Sequence, residues 1–223
     1  ANCEIVAGVD PRSAEELAFP VFQNIADCNV AADVIIDFST ATAVDALLDY
    51  AKEKHIPAII CTTVLSQETL AHLEEVSKSV AILKSANMSV GVNLLLELVQ
   101  RAAVVLAQNG FDIEIVEKHH NQKIDAPSGT AMALANAMNQ AMEESYHYVF
   151  DRSQKREKRD PAEIGIHAVR GGNIVGEHNV IFAGRDEVIE MTHRATSREV
   201  FAVGAVAAAK FLAGKEAGLY SMR

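Results

Sequence analysis

The chain has 223 residues and a formal net charge of -10 at pH 7, with 49% hydrophobic and 22% charged residues. This length suffices for one large or two small domains with a buried core, and the composition is that of an ordinary globular protein. The acidic balance disfavours general nucleic-acid binding, which needs a basic surface to displace counterions.

Cys3, Cys28 and Cys61 are odd in number and lack C-x-x-C spacing, which disfavours a disulfide framework or a structural zinc site. The longest apolar run is short of a bilayer span, and the N-terminus lacks the basic-then-apolar pattern of a signal peptide. We therefore expect a cytoplasmic protein with no membrane partner.

The first ninety residues alternate short apolar runs with amphipathic segments. This alternation predicts βαβ units and a parallel sheet. The predicted strands are Glu4–Val9, Asp33–Phe38, Pro57–Cys61 and Val80–Lys84, and the predicted helices are Ala41–His55, capped by Thr40, and Ser66 to about Lys78.

The pattern changes after a long apolar helix over Gly91–Gln108, which Gly110 closes. Phe111–Glu117 alternates apolar and acidic residues, as in a strand with one solvated face. The second half therefore predicts a mostly antiparallel sheet with a helix packed on it, and the fold class is α/β: a Rossmann-like parallel sheet plus an α+β domain. The remaining predicted elements are strands over Ile164–Arg170, Ile174–Ala183 and Glu187–His193 and a helix over Thr130–Glu144. Gly184-Arg185-Asp186 predicts a hairpin-like turn between the last two strands.

Two later segments have distinct patterns. Thr196–Glu199 has the sequence of a capping box and precedes a helix that ends near Gly214. Because this helix is apolar on nearly every face, we expect it to be buried. The charge run Arg152–Arg159 predicts a solvated loop, with a phosphate-contacting loop as the alternative.

The strongest functional signal lies directly after the Phe111–Glu117 strand. His119 and His120 are adjacent there, and neighbouring residues on an extended backbone point to opposite sides. One imidazole can therefore act as a general acid while the other binds an anion. Lys123 adds a compact positive charge suited to a carboxylate or to proton donation.

A helix begins soon after these residues. Pro127 prevents an early start, and Ser128-Gly129-Thr130 then leaves backbone N–H groups at the positive end of the helix, where a carboxylate can bind. The alternative for the histidines is an ordinary polar loop. A metal site is disfavoured, because adjacent histidines rarely face one ion and no third ligand is suitably spaced.

A second candidate region lies at the carboxyl ends of the parallel strands. Asp10 could bind the ribose hydroxyls of a dinucleotide or could simply cap a helix, and Arg12 could meet a 2′-phosphate or form a surface salt bridge. No G-x-G-x-x-G loop occurs, so the chain is expected to correspond to a dinucleotide-binding fold from its second strand onward. Small and hydroxyl residues that would let a cofactor approach are Cys61, Thr62, Thr63, Ser85, Ala86, Asn87 and Met88.

The segment Glu117-Lys118-His119-His120 through Thr130 closely resembles the signature of the 4-hydroxy-tetrahydrodipicolinate reductase (dihydrodipicolinate reductase) family. The resemblance implies an NAD(P)H-dependent reductase of lysine and diaminopimelate biosynthesis, usually a homotetramer, that delivers hydride to a cyclic imine dicarboxylate. It runs through nearly the whole chain and includes Val34–Ser39, Ser89–Asn93, Arg170–Gly172, Ile174–His178 and Thr192–Ala195.

Carried over by motif, the resemblance implies individual roles. His119 would be the proton donor and acceptor, and Lys123 would be a second proton donor. His120, Gly129 and Thr130 would bind a substrate carboxylate together with Lys123. The residues that would line NADH or NADPH are Asp10, Cys61, Thr62, Thr63, Ser85, Ala86, Asn87 and Met88.

The chain departs from the family pattern at the phosphate loop and at Cys61-Thr62-Thr63-Val64, where the family has Gly-Thr-Thr-Gly. Two rival hypotheses are a non-catalytic relative that binds dicarboxylates or only assembles, and another small-substrate dehydrogenase. We expect residues 1–89 and 197–223 to form an incomplete dinucleotide-binding domain. Residues 90–196 are expected to form the substrate-binding and oligomerisation domain.

Overall fold

The computed structural model describes residues 3–12, 16–63 and 65–222, which form two compact units. One unit is built from the chain up to Ala86 together with Ala202–Met222, and the other from Asn87–Phe201. The strands are β1 (Gly8–Val9), β2 (Val21–Phe22), β3 (Ile35–Asp37), β4 (Ala58–Ile60), β5 (Ala81–Lys84), β6 (Asp112–His119), β7 (His147–Val149), β8 (Glu163–Arg170), β9 (Gly176–Ala183), β10 (Val188–Ala195) and β11 (Gly218–Tyr220). The α-helices are α1 (Ala41–Lys54), α2 (Gln67–Ser77), α3 (Val90–Ala107), α4 (Gly129–Ala141) and α5 (Glu199–Leu212), and Ile25–Asp27 forms a 3-10 helix.

The first unit contains a parallel sheet of four strands in the order β11-β5-β4-β3. Helix α1 presents Val44, Leu48 and Ala51 to this core, a spacing of three to four residues that places them on one face. They belong to one buried cluster with Ile60 of β4 and Ile82 of β5. The predicted parallel sheet is confirmed.

The N-terminal strand of this unit is shorter than the sequence predicts. Pairing over the predicted Glu4–Val9 strand is limited to Gly8–Val9, which pairs in parallel with β2 and lies outside the four-stranded sheet. Strands β2 and β11 were not predicted at all. Strands of two or three residues are too short to show the alternation on which sequence prediction depends.

The second unit contains a mixed sheet of five strands in the order β10-β9-β6-β8-β7. Strand β6 pairs antiparallel with β9 and parallel with β8, and β9 and β10 form the predicted hairpin, closed by a hydrogen bond from Gly184 N to Glu187 O of 2.9 Å. Alternate residues of β6 are buried, and this row ends in Glu117 and His119. The strand prediction that ended at Glu117 was therefore too short, because His119 is its last paired residue.

Helix α3 packs on the same sheet through Val92, Leu96 and Val99, which belong to the core cluster of the second unit. By length and composition alone, α3 could also cross a membrane. The expectation that no segment of the chain reaches that length is corrected in this respect. A core helix passes the same test, and the buried side of α3 contacts the sheet as a core helix does.

Serine caps position several of the helices. Ser66, Ser89 and Ser128 each accept a hydrogen bond at Oγ from the backbone N–H three residues later. Thr40, the predicted cap of α1, makes no such bond. Helix α5 is buried on one side but exposes 68% of Val203, so the expectation that it is buried all round was wrong.

The charge run forms a loop, as predicted, but two of its arginines, Arg152 and Arg159, are bound to the sheet. Arg152 pairs with Glu163, which is only 3% exposed. Arg159 donates to Glu114 Oε1 at 3.0 Å and Asp112 Oδ1 at 2.7 Å, and also to the backbone carbonyl of Glu163 at 2.6 Å. The loop therefore lies across the strands rather than free in solvent.

Arg159→Met is expected to lower the free energy of unfolding by about 2 kcal/mol, since methionine keeps the aliphatic stem but leaves two part-buried carboxylates without their shared cation. Urea unfolding measures this loss. Arg156→Met in the same loop is the control, because Arg156 is exposed. A loss of equal size in both variants would mean that the Arg159 ion pairs do not fasten the loop.

Candidate active site

His119 ends β6 on its buried side and is 9% exposed. Its Nδ1 lies 2.6 Å from Oε2 of Glu117, two residues earlier on the same strand. Residues two apart on a strand share a face, so the strand itself brings the carboxylate and the imidazole together. An ionised carboxylate can only accept, which assigns the proton to Nδ1 and leaves Nε2 for other partners.

Glu117 is fully buried and accepts hydrogen bonds from three residues, His119, Arg170 and Ser128. Arg170, at the end of β8, binds both carboxylate oxygens at 2.8 Å, and the backbone N–H of Ser128 donates to Oε1 at 2.9 Å. Burial opposes ionisation of Glu117, but the hydrogen bonds from His119, Arg170 and Ser128 outweigh it and lower its pKa to about 2. The site therefore contains a carboxylate that stays charged and is hydrogen-bonded to Nδ1 of His119.

His178 of β9 is a second buried histidine, next to His119. It was not predicted as a site residue. It is 4% exposed, and its Nε2 lies 2.9 Å from Ser128 Oγ. Its ring meets the His119 ring edge-on, with centroids 5.2 Å apart. Burial, followed by repulsion from His119, lowers the pKa of His178 to about 4, so His178 is neutral at physiological pH.

Lys123 lies in the loop after β6 and pairs with Asp125, with Nζ 2.8 Å from Oδ1. Burial raises the pKa of Asp125, but the hydrogen bond from Lys123 outweighs this and lowers it overall. Arg170 donates to the backbone carbonyl of Asp125 at 2.6 Å, which ties the loop to the strand end. Lys123 is therefore ion-paired, and its loop is bound to Arg170, which also binds Glu117.

His120 faces a different partner from His119, as the alternation along the strand predicts. Its Nε2 lies 3.2 Å from Nη2 of Arg198, a residue that sequence reasoning did not select. Partial burial, with the positive charges of Arg198, His119 and Lys123, lowers the pKa of His120. Because a guanidinium can only donate, His120 Nε2 accepts the hydrogen bond from Arg198.

Helix α4 begins at Gly129, directly after the Ser128 cap. A Cβ added at Gly129 would meet no atom within 4 Å, so space is open over the first turn of the helix. Thr130 Oγ1 accepts from Asn87 Nδ2 at 3.0 Å. The first backbone N–H groups of a helix can bind an anion, and carboxylate binding at this helix start stays a prediction.

The predicted cofactor residues of the first unit follow its parallel strands. Thr62, after β4, donates to the buried Asp37 at the end of β3 at 2.7 Å, so its hydroxyl fixes the loop. Burial, with the nearby charge of Asp37, raises the pKa of Cys61 to about 12 and keeps the thiol neutral. The chain reaches Ser85 and Ala86 beyond the end of β5, where Ser85 N donates to Ile60 O at 3.2 Å.

These residues fit a dinucleotide in their chemistry. Short side chains and backbone groups at the carboxyl edge of a parallel sheet are what such a cofactor requires. In the first unit, Asp10 and Thr63 are exposed, whereas Thr62 is buried and could contribute only through its backbone. Met88 belongs to the second unit and is buried as well. Val64, which replaces a family glycine, lies outside the described residues. Among the described residues, no cluster of three or more His, Cys, Asp or Glu could hold a metal ion.

Comparisons with known proteins agree along both halves of the chain. Residues 1–88 match the family model described as dihydrodipicolinate reductase, N-terminus, and residues 91–223 match the model of its C-terminus. A 4-hydroxy-tetrahydrodipicolinate reductase of Caldanaerobacter subterraneus is 56% identical over 98% of this chain and 86% of its own length. One of Clostridium novyi is 51% identical over the same shares of both chains.

The fold is also that of a solved structure. The dipicolinate-bound dihydrodipicolinate reductase of Paenisporosarcina sp. TG-14 matches with a TM-score of 0.76 and 22% identity, over 98% of this chain and 87% of the other. The two family models together with relatives above half identity decide the assignment. This chain belongs to the dihydrodipicolinate reductase family of NAD(P)H-dependent oxidoreductases.

Proposed function

We propose that this chain catalyses the NAD(P)H-dependent reduction of 4-hydroxy-tetrahydrodipicolinate to tetrahydrodipicolinate in diaminopimelate and lysine biosynthesis. The single observation that carries the proposal is the buried His119, fixed by Glu117 next to an open helix start at Gly129. A proton donor beside an anion site is what reduction of a cyclic dicarboxylate needs. The family matches in both halves favour this reductase over a non-catalytic relative.

We infer the substrate roles from the family resemblance, and the surroundings of each residue support them. His119 donates a proton from Nε2. Its other proton stays on Nδ1, in the hydrogen bond to Glu117. Lys123 binds a substrate carboxylate and serves as a second proton donor. His120, with the backbone of Gly129 and the hydroxyl of Thr130, binds carboxylate as well, and the open space over Gly129 supports this.

The cofactor, NADH or NADPH, supplies the hydride when bound. Asp10 is exposed after β1 and would bind the ribose hydroxyls, which favours NADH, while Arg12 leaves a 2′-phosphate possible. Thr62 holds the loop in place through Asp37. The other lining residues in this proposal are Cys61, Thr63, Ser85, Ala86, Asn87 and Met88.

Three wider features belong to the same proposal. Residues 1–89 with 197–223 serve the cofactor, and residues 90–196 serve substrate and assembly. The protein works in the cytoplasm as a homotetramer, in line with the family resemblance. Light scattering after gel filtration tests the assembly: a mass near four chains is expected, and a monomer would overturn this part alone.

Calorimetry tests the binding functions directly. We titrate NADH and NADPH into the protein, each with and without pyridine-2,6-dicarboxylate, a planar mimic of the substrate. Binding of both ligand types, with reductase activity measured from NAD(P)H absorbance, supports the proposal. Dicarboxylate binding without cofactor binding would indicate an impaired relative, and binding of neither would contradict the site.

Gly129→Ala separates ligand binding from folding. The added methyl group meets no atom of the protein, so stability should be unchanged or slightly raised by the helix propensity of alanine. The methyl group does occupy the space where a carboxylate would approach the helix N-terminus. We expect the Kd of pyridine-2,6-dicarboxylate to rise about tenfold, roughly 1.4 kcal/mol. An unchanged Kd would place the carboxylate elsewhere.

A further inference from the structure

We propose that Glu117 and Arg170 act together as positioning residues for His119, Glu117 by fixing the imidazole tautomer and Arg170 by keeping Glu117 charged. This inference rests on the proposed function, in which His119 gives a proton to the substrate. Glu117 and Arg170 do not touch the substrate, and both act through the imidazole.

The His119 ring is held in one orientation. The 2.6 Å contact between Nδ1 and Glu117 Oε2 fixes one edge of the imidazole. On the other edge, Nε2 would lie only 3.1 Å from a Cβ built on Gly176, the first residue of β9. A side chain at position 176 would crowd this edge of the ring, so glycine leaves room beside Nε2. Because Nδ1 is bound to Glu117, Nε2 is the nitrogen that remains for the substrate.

The donors to Glu117 are divided evenly between its two carboxylate oxygens. Oε1 accepts from Arg170 and from the Ser128 backbone, while Oε2 accepts from Arg170 and His119. Each oxygen therefore has two donors, and a proton on either one would have to displace a bond. The low pKa of Glu117 agrees with this count. Glu117 orients the imidazole and stabilises its protonated form, but does not take its proton.

The groups around His119 do not compete with it as proton donors. The titratable groups around His119 are Glu117 on its own strand, Arg170 on β8 and His178 on β9, with His120 and Lys123 in the following loop. Arg170 keeps its proton at all working pH values. His178 is held neutral by burial. Among these groups, His119 is therefore the buried imidazole that gives a proton to the substrate.

Glu117→Gln tests the proposal with an isosteric change. A glutamine amide can donate to Nδ1, which would move the imidazole proton to Nε2 in the neutral ring. We expect kcat to fall about 100-fold, and the alkaline fall in kcat to move to lower pH, because the imidazolium loses its carboxylate. The Kd of pyridine-2,6-dicarboxylate should stay within about twofold.

Nitrogen-15 NMR of the ligand-free protein gives a readout that a structural role would not change. In the wild-type chain at alkaline pH, Nδ1 of His119 should have the shift of a protonated nitrogen and Nε2 that of an unprotonated one. Glu117→Gln should exchange the two. Glu114→Gln is the matched control, since Glu114 lies on the same strand on the opposite face and pairs with Arg159. It should preserve tautomer and pH profile.

The outcomes are distinct. An unprotonated Nδ1 in the wild-type chain overturns the inference even if Glu117→Gln fails to fold. A reduced kcat with an unshifted pH profile and an unchanged tautomer would reduce Glu117 to a structural residue. If the wild-type chain neither binds the dicarboxylate nor oxidises NAD(P)H, the proposed function fails, while the tautomer measurement still decides the positioning.

Discussion

Replacing His119 by glutamine should lower kcat by about 1,000-fold, within the range that a positioned general acid contributes. The glutamine amide can still donate to Glu117, so the buried carboxylate keeps a partner and the fold is preserved. What is lost is the proton that Nε2 would deliver to the substrate. Because the change affects only the transition state, the Kd of pyridine-2,6-dicarboxylate should stay within about twofold.

His120→Ala is the matched comparison for His119→Gln. His120 is more exposed and contacts Arg198 instead of Glu117, so its removal leaves the proton donor in place. We expect weaker dicarboxylate binding with a smaller change in kcat. Steady-state kinetics and calorimetry on both variants measure the two effects. If His119→Gln mainly weakened binding and His120→Ala mainly lowered kcat, the two roles would be exchanged.

The fold was predictable because its major elements have readable periodicities. Val44, Leu48 and Ala51 lie three to four residues apart and bury one face of α1, as the sequence predicts for a helix. The predicted hairpin between β9 and β10 is confirmed. Strand β1 was predicted too long, and β2 and β11 were not predicted. Strands with two or three paired residues are defined by their partners and not by their own sequence.

Only those residues of the candidate site that are close together in the sequence could be predicted. His119, His120 and Lys123 are close in sequence, so their grouping needed no tertiary information. Glu117 carried one usable signal, its position two residues before His119 on a strand face. Arg170 and His178 lie in segments that resemble the family, but no sequence pattern joined them to His119, because they reach the site through strand register: His119 pairs with Arg170, and Glu117 with His178. Register is set by the packing of the whole sheet, which a sequence pattern does not specify.

The burial of His178 should make the stability of the protein depend on pH. Its folded pKa is about 4 against an ordinary value of 6.5, so between these values the unfolded chain binds a proton that the folded chain refuses. Stability is therefore complete above about pH 6.5 and falls as the pH drops towards 4. The loss from this one group is roughly 3 kcal/mol, since each pH unit in this window costs about 1.4 kcal/mol.

His178→Gln removes this titration while the side-chain oxygen can still accept from Ser128 Oγ. We expect the unfolding free energy of the variant, measured by urea titration, to fall between pH 7 and 4.5 by roughly 2–3 kcal/mol less than that of the wild-type chain. His147→Gln is the control and should keep the wild-type slope, because that imidazole is 53% exposed. Glu117 does not interfere, since a carboxyl with a pKa near 2 loses its contribution only below about pH 4.5. An identical slope in His178→Gln and the wild-type chain would mean that His178 accepts a proton inside the fold. It would then compete with His119 for the proton behind the site.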